Sequence, residues 1–174
     1  LHLVFGGRVT DPMTLDFQDP TKLDVVGIFP DYASGNWAEG LTTYMADYMT
    51  GEIASADKAK EMRLSWLRDY NALPGDKDKP VVEFISKHGQ SSQVIGYHKV
   101  AFIFHMLRQR LGDDVFFAGL KNFWINNAFK TASWDDIKTS FAQISNENLD
   151  AFFDQWLNST GAPRFKSISA TAHN

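Results

Sequence analysis

The amino-acid sequence predicts a mainly α protein: an orthogonal, irregular multi-helix domain of five to six helices, with an irregular N-terminal segment before it and a tail after it that can start a short strand. Three observations carry this expectation. From about Asn36 onward apolar residues recur with helical period, and glycine, proline and acidic punctuation cuts that run into helix-length pieces. The composition, 44% hydrophobic and 14% aromatic over 174 residues, supplies enough apolar surface for one packed domain. A chain of this length buries roughly 70% of the surface its unfolded form exposes.

Each element has its own justification. Residues 1–35 read as irregular: Leu1, Leu3 and Phe5 alternate as in a short strand, but Pro12, Pro20 and Pro30 interrupt. Trp37, Leu41, Tyr44 and Tyr48 then form the stripe of a first helix, expected to end near Gly51. Met62, Trp66 and Tyr70 predict a second from Ala56 to about Tyr70, closed by Pro74-Gly75 and a charged loop to Pro80. Val100, Ile103, Phe104, Leu107 and Leu111 make the clearest core helix, to which Phe102 and Met106 add a second apolar face, so it is expected to be central. Gly112 ends it, and Asp113-Asp114 suit the positive N-terminus of a helix carrying Phe116, Leu120 and Phe123. Ser133-Trp-Asp-Asp136 reads as a cap and first turn. The last helix carries Leu149, Phe152, Phe153, Trp156 and Leu157 and stops at Gly161 and Pro163. In the tail, residues 164–174, Phe165, Ile168 and Ala170 can start a strand.

Several function classes are excluded or left without support. The net charge of −4 offers no electrostatic footprint for nucleic acid. No run approaches the roughly 18 apolar residues of a membrane span, and the N-terminus lacks the pattern of a signal peptide. The expectation is a soluble chain of unknown compartment. Cysteine is absent, which rules out disulfides and thiolate metal sites. Phe5-Gly6-Gly7-Arg8 lacks the lysine and spacing of a phosphate loop, and no Gly-x-Ser-x-Gly elbow occurs.

Two constellations remain. Glu39 follows Asn36 at capping-box spacing, so its carboxylate can reach back to the cap amide; alternatively it faces a cleft bordered by Thr42, Thr43 and Ala46. Tyr97, in Gly96-Tyr-His-Lys99 ahead of the core helix, is either an amphipathic packing residue or a phenol that donates a hydrogen bond to a developing oxyanion. His98 and His105 share a helix face, but two turns separate them by about 10 Å, too far to hold one zinc.

Taken in order, Gly35-Asn-Trp-Ala-Glu39-Gly-Leu-Thr-Thr-Tyr44, Gly96-Tyr97-His-Lys99, residues 107–116 (LRQRLGDDVF) and Phe153-Asp-Gln-Trp-Leu-Asn-Ser-Thr-Gly-Ala-Pro163 resemble the helical C-terminal half of the catalytic domain of aminopeptidase N type zinc metallopeptidases, the gluzincins. The resemblance covers about residues 31–163. It implies that Glu39 is the third zinc ligand and Tyr97 the residue that stabilises the tetrahedral intermediate. It also implies a division into an irregular segment 1–35, a helical metallopeptidase-like subdomain 36–163, and a tail 164–174 that begins a following β domain. Val100 stands where the family usually has glycine, a departure expected not to disturb a helix.

The larger departure lies upstream. No His-Glu-x-x-His occurs in the chain. At the family's usual spacing the two histidines would fall at 16 and 20 and the general base at 17, where this chain has Asp16, Pro20 and Phe17. The substrate-binding Gly-x-Met-Glu-Asn pattern is also absent. The resemblance therefore implies the helical part of a peptide-hydrolysing zinc enzyme, with zinc, peptide substrate and the missing catalytic and β domains belonging to the parent, and an isolated chain that is inactive and holds no zinc tightly. The rival expectations are a natural pseudoenzyme or protein-binding helical module that has lost the zinc site, and a packing domain whose apolar faces dock on absent neighbours.

Overall fold

The computed structural model describes residues 27–161. The positions 16, 17 and 20, the alternation at residues 1–5, the stop at Pro163 and the expected strand in 164–174 lie outside them. Six continuous helices make up the described part, joined by short turns and one long loop. Helix α1 (residues 38–54) runs as Ala38–Thr42, a π-helical stretch Thr43–Tyr48, and Met49–Ala54. Helix α2 is Ala56–Asn71. Helix α3 (residues 90–111) is again composite, with a π-helical stretch Val94–Lys99 between Gln90–Gln93 and Val100–Leu111. Helices α4 (Asp113–Asn127), α5 (Trp134–Ser145) and α6 (Asp150–Asn158) complete the set.

The strand content is one parallel pair among the described residues: β1 (Phe29–Pro30) lies beside β2 (Thr131–Ala132), with Phe29 opposite Thr131. This pair ties the chain ahead of α1 to the α4–α5 connection. The indole of Trp37 strengthens the tie by donating from Nε1 to the carbonyl of Ala132 at 2.8 Å.

Helix α3 is central, as its two apolar faces predict: Val100, Ala101, Ile103, Phe104 and Leu107 are all fully buried. Around it an aromatic core closes, in which Trp37 meets Phe123 edge to face, Phe104 stacks on Trp134, and Tyr44 stacks on Tyr48 at 5.0 Å. Such pairs add directional preference to simple area burial.

Two expectations about helix ends are corrected. Helix α1 does not stop at Gly51 but continues to Ala54, because Gly51 is a buried packing position where a Cβ would stand 2.7 Å from the Met62 sulfur. The break comes at Ser55, whose hydroxyl accepts from the Lys58 amide and caps α2. Helix α3 starts at Gln90, well ahead of Val100, so Tyr97 sits inside a helix rather than at its entrance. The polar Gln90–Gln93 turn hides that start, which is fixed by the Ser92 hydroxyl accepting from the amides of His88 and Gly89. The capping box of α5 forms as expected, with Ser133 and Asp136 bonded reciprocally.

Helices α1 and α3 cross at Gly40, where a Cβ would lie 2.2 Å from the Cβ of Val100. Val100 leaves the helix undisturbed, yet its position is the crossing itself, which tolerates a side chain on one partner only. Replacing Gly40 by Ala is expected to lower stability by about 1–3 kcal/mol, read as a shift in the urea midpoint. Adding Val100→Gly should return part of that loss, a coupling visible in a double-mutant cycle; strictly additive single effects would refute the crossing.

Candidate functional site

The crossing sets the start of α1 against the π-helical stretch of α3, and it brings Glu39 and Tyr97 together. Both side chains are half-buried. Burial pushes the Tyr97 phenol up to about 12, and the Glu39 carboxylate, through hydrogen bonding and its charge, adds to the rise. The phenol is protonated near neutral pH, as it would be at its ordinary value, with the Glu39 carboxylate as its neighbour.

Glu39 is free for this because the capping role is taken elsewhere. The amide of Asn36, which a capping-box glutamate would accept from, donates instead to the carbonyl of Phe84 at 2.7 Å. Both ends of the Asn36 carboxamide are bonded: Oδ1 accepts from the Ala38 amide and Nδ2 donates to the Ile85 carbonyl. Asn36 thus clasps the beginning of α1 to the 84–85 loop, and Glu39 is left facing Tyr97. Thr42 and Thr43 turn their hydroxyls back onto the carbonyls of Ala38 and Glu39, a bonding pattern that bends helices at the point where the π-helical stretch begins.

Tyr97 is placed from below by Phe84. Gly96 lies flat on that ring, where a Cβ would come within 2.1 Å of Phe84 Cζ, and the Tyr97 and Phe84 rings meet edge to face at 6.1 Å. The same Phe84 region therefore positions both site residues, through its carbonyl for α1 and its ring for α3.

Behind the site, a polar network fixes the far ends of these helices. Arg108, only 8% exposed, reaches Asp113 with two parallel bonds of 2.9 Å and Glu52 with one of 2.6 Å. Tyr48 donates to Glu52 and accepts from Arg63. Burial pushes Tyr44 up to about 12 against the opposing Arg108, while the guanidinium holds the Asp113 carboxyl below its usual range. Asp113 thus does more than serve the helix dipole, its sequence-based role. On α3's opposite face, Lys99 donates to the Ser159 carbonyl at 3.1 Å and lies 3.9 Å from Asp78. Lys99 was legible as part of a pattern, but its partners, distant in sequence on both sides, were not.

His98 and His105 do not form a joint site. His98 Nδ1 stands 3.0 Å from Asp69, and His105 faces Tyr44 at 3.4 Å. Among the described residues no group of three His, Cys, Asp or Glu converges so as to hold a metal ion, and no helix there is long and apolar enough to cross a membrane.

Comparison with known proteins bears on this arrangement. The family model described as the peptidase family M1 domain matches residues 28–156, and one for a domain of unknown function, DUF4170, matches residues 1–39. Aminopeptidase N of Lactococcus lactis subsp. lactis is 32% identical over 69 residues, which is 40% of this chain and 8% of that protein.

Burial pushes His105 down to about 4, with the Arg63 charge acting in the same sense. An unfolded histidine titrates near 6.5, so between about 6.5 and 4 the unfolded chain takes a proton that the folded one refuses, and stability falls as pH drops through that window. His98, also held low by burial, contributes with the same sign. Urea midpoints measured from pH 7 to 4.5 should therefore decline less steeply in His105→Gln than in the parent chain; equal slopes would place His105 in water.

Proposed function

The chain belongs to the peptidase family M1, and we propose that its helical domain, residues 36–163, is one wall of a metallopeptidase active site, with peptide bond hydrolysis the activity of the fuller enzyme. Glu39 is the metal-ligand carboxylate of that wall, and Tyr97 is the donor that braces the oxyanion of the tetrahedral intermediate. The observation that carries this reading is the meeting of these two side chains, which come from separate helices and separate sequence patterns.

The chemistry rests on their state. A phenol held protonated near neutral pH has a proton to place on an oxygen that gains negative charge, and a half-buried setting strengthens that bond relative to water. In the resting pair the acceptor is Glu39. A carboxylate drawn away by a cation would release the phenol to a different acceptor.

The described residues do not fit a zinc ion by themselves. A hydrolytic zinc centre needs three protein ligands, an open position and a base, and Glu39 is one ligand. Zinc and the peptide substrate therefore belong to the fuller enzyme, together with the complementary catalytic and β-rich parts as partners. A second reading, a pseudoenzyme or binding module, is favoured by one feature of the sequence, the absence of His-Glu-x-x-His from all 174 residues. Whether the gene encodes that motif ahead of Leu1 discriminates the two.

The purified chain is expected to retain no stoichiometric zinc after dialysis and to leave amino-acid anilides uncleaved; bound zinc with chelator-sensitive hydrolysis would overturn this. The residue roles are tested by exchanging residues 31–161 into the Lactococcus lactis aminopeptidase N. In a folded, active chimera, Tyr97→Phe should lower kcat by about 10²–10³-fold with KM little changed, and Glu39→Ala should lose the metal.

A further inference from the structure

A cavity of about 150 Å³ opens between α2, α3 and the end of α6, on walls supplied by Trp66, Tyr70, Phe102, Met106 and Trp156. An apolar cavity of about this volume takes a benzene ring. Leu67 on its border is 47% exposed, so among the described residues the cavity is open on that side. One side chain breaks the apolar pattern: Lys99 lines the cavity and is itself only 7% exposed.

A buried ammonium is unfavourable unless its hydrogen bonds are met, and those of Lys99 are met only in part. The group carries three donors, and among the described residues it makes one bond, to the Ser159 carbonyl at 3.1 Å. Asp78 Oδ1 stands 3.9 Å from Nζ, beyond hydrogen-bond reach, and the Tyr70 ring lies under the ammonium at 5.3 Å. The carboxylate is held by its other oxygen: Asp78 Oδ2 accepts from the Tyr70 hydroxyl at 2.7 Å and from the Gly161 amide at 2.6 Å. Asp78 Oδ1 is buried and has no hydrogen-bond partner among the described residues. Its lone pairs and the incompletely bonded amine thus stand side by side, without a bond between them, at the wall of an apolar hole.

Burial holds the Lys99 amine below its ordinary range, and the Asp78 charge opposes that shift. A lysine desolvated in this way supplies more of its nucleophilic form near neutral pH than one in water. The size and aromatic walls of the cavity select a flat ring, and the amine selects a carbonyl group carried on that ring.

We propose that this cavity is a binding site for a one-ring aromatic aldehyde, with Lys99 Nζ as the nucleophile that captures it as an imine and Asp78 Oδ1 as the proton carrier. The ring sits among Trp66, Phe102, Met106 and Trp156, with its carbonyl turned to the amine. Asp78 Oδ1 takes one proton from the ammonium, and the freed Nζ lone pair forms the C–N bond while the carbonyl π pair moves to oxygen. That oxygen collects a proton from the nitrogen, which gives a neutral carbinolamine. Oδ1 then passes its proton to the hydroxyl, the C–O bond breaks, and water leaves as the nitrogen lone pair closes the C=N bond. The product is a protonated imine beside the Asp78 carboxylate, so the net charge of the pair is unchanged.

The test uses the full chain with limiting benzaldehyde near neutral pH, cyanoborohydride to reduce the imine to a stable benzyl amine, and peptide mass mapping to locate the label. Lys99 should be labelled at least about tenfold faster than the exposed Lys60 and Lys121, because binding in the cavity raises the local concentration of aldehyde at the amine. Toluene, which fills the cavity without reacting, should suppress the Lys99 label and leave those at Lys60 and Lys121 unchanged. In Asp78→Asn with unchanged circular dichroism, labelling of Lys99 should slow by about tenfold or more. Labelling of Lys99 no faster than of Lys60, or a Lys99 label that toluene leaves untouched, would overturn the proposal. An unchanged rate in the folded Asp78→Asn chain would remove Asp78 from the step.

Discussion

Two helices bring side chains from distant parts of a chain to one point only where their backbones approach closely, and in this domain the approach is made at Gly40. The absence of a single Cβ lets α1 lie on Val100, with room for one side chain between the two backbones. Everything at the Glu39–Tyr97 face descends from that contact. Asn36 holds the start of α1 against the 84–85 loop, Phe84 supports Gly96 and Tyr97, and the carboxylate meets the phenol because both ends of the crossing are pinned.

Charge is used on either side of the crossing to hold α3 in place. Lys99 and Arg108 lie nine residues apart, half a turn out of phase on an α-helix, so they face opposite sides. Each is nearly buried, and each meets partners from other elements: Ser159 and Asp78 for Lys99, Glu52 and Asp113 for Arg108. Burying a charge is unfavourable unless its hydrogen bonds are met. The paired arrangement consequently penalises any rotation or slippage of α3 that would strand either cation.

Much of the helical architecture was legible because it rests on local chemistry. The Trp66-centred stripe of α2, the Ser133–Asp136 box and the double apolar face of α3 are all written within a few residues. Glu39 and Tyr97 were legible as candidates through their neighbours. What could not be read depends on distant partners or on geometry without a residue signature. Gly51 looks like a helix stop until Met62 is seen against it. The capping role offered to Glu39 disappears because a carbonyl from Phe84, far along the chain, reaches the Asn36 amide first. The two-residue strands are too short to leave a period, and the first turn of α3 is polar enough to pass for loop.

The π-helical stretch Val94–Lys99 also sets what kind of information holds the site together. A π turn carries one residue more than α winding requires, and in α3 that turn contains Tyr97 and ends next to the Val100 contact. Removing one residue from it would leave a continuous helix. The flanking α turns would keep their phase, because the surplus residue is the one the π turn bulges out, but the bulge that carries Tyr97 would close and the phenol would shift relative to the carboxylate. The placement of the phenol beside the crossing is thus stored in the length of the chain as well as in its side chains.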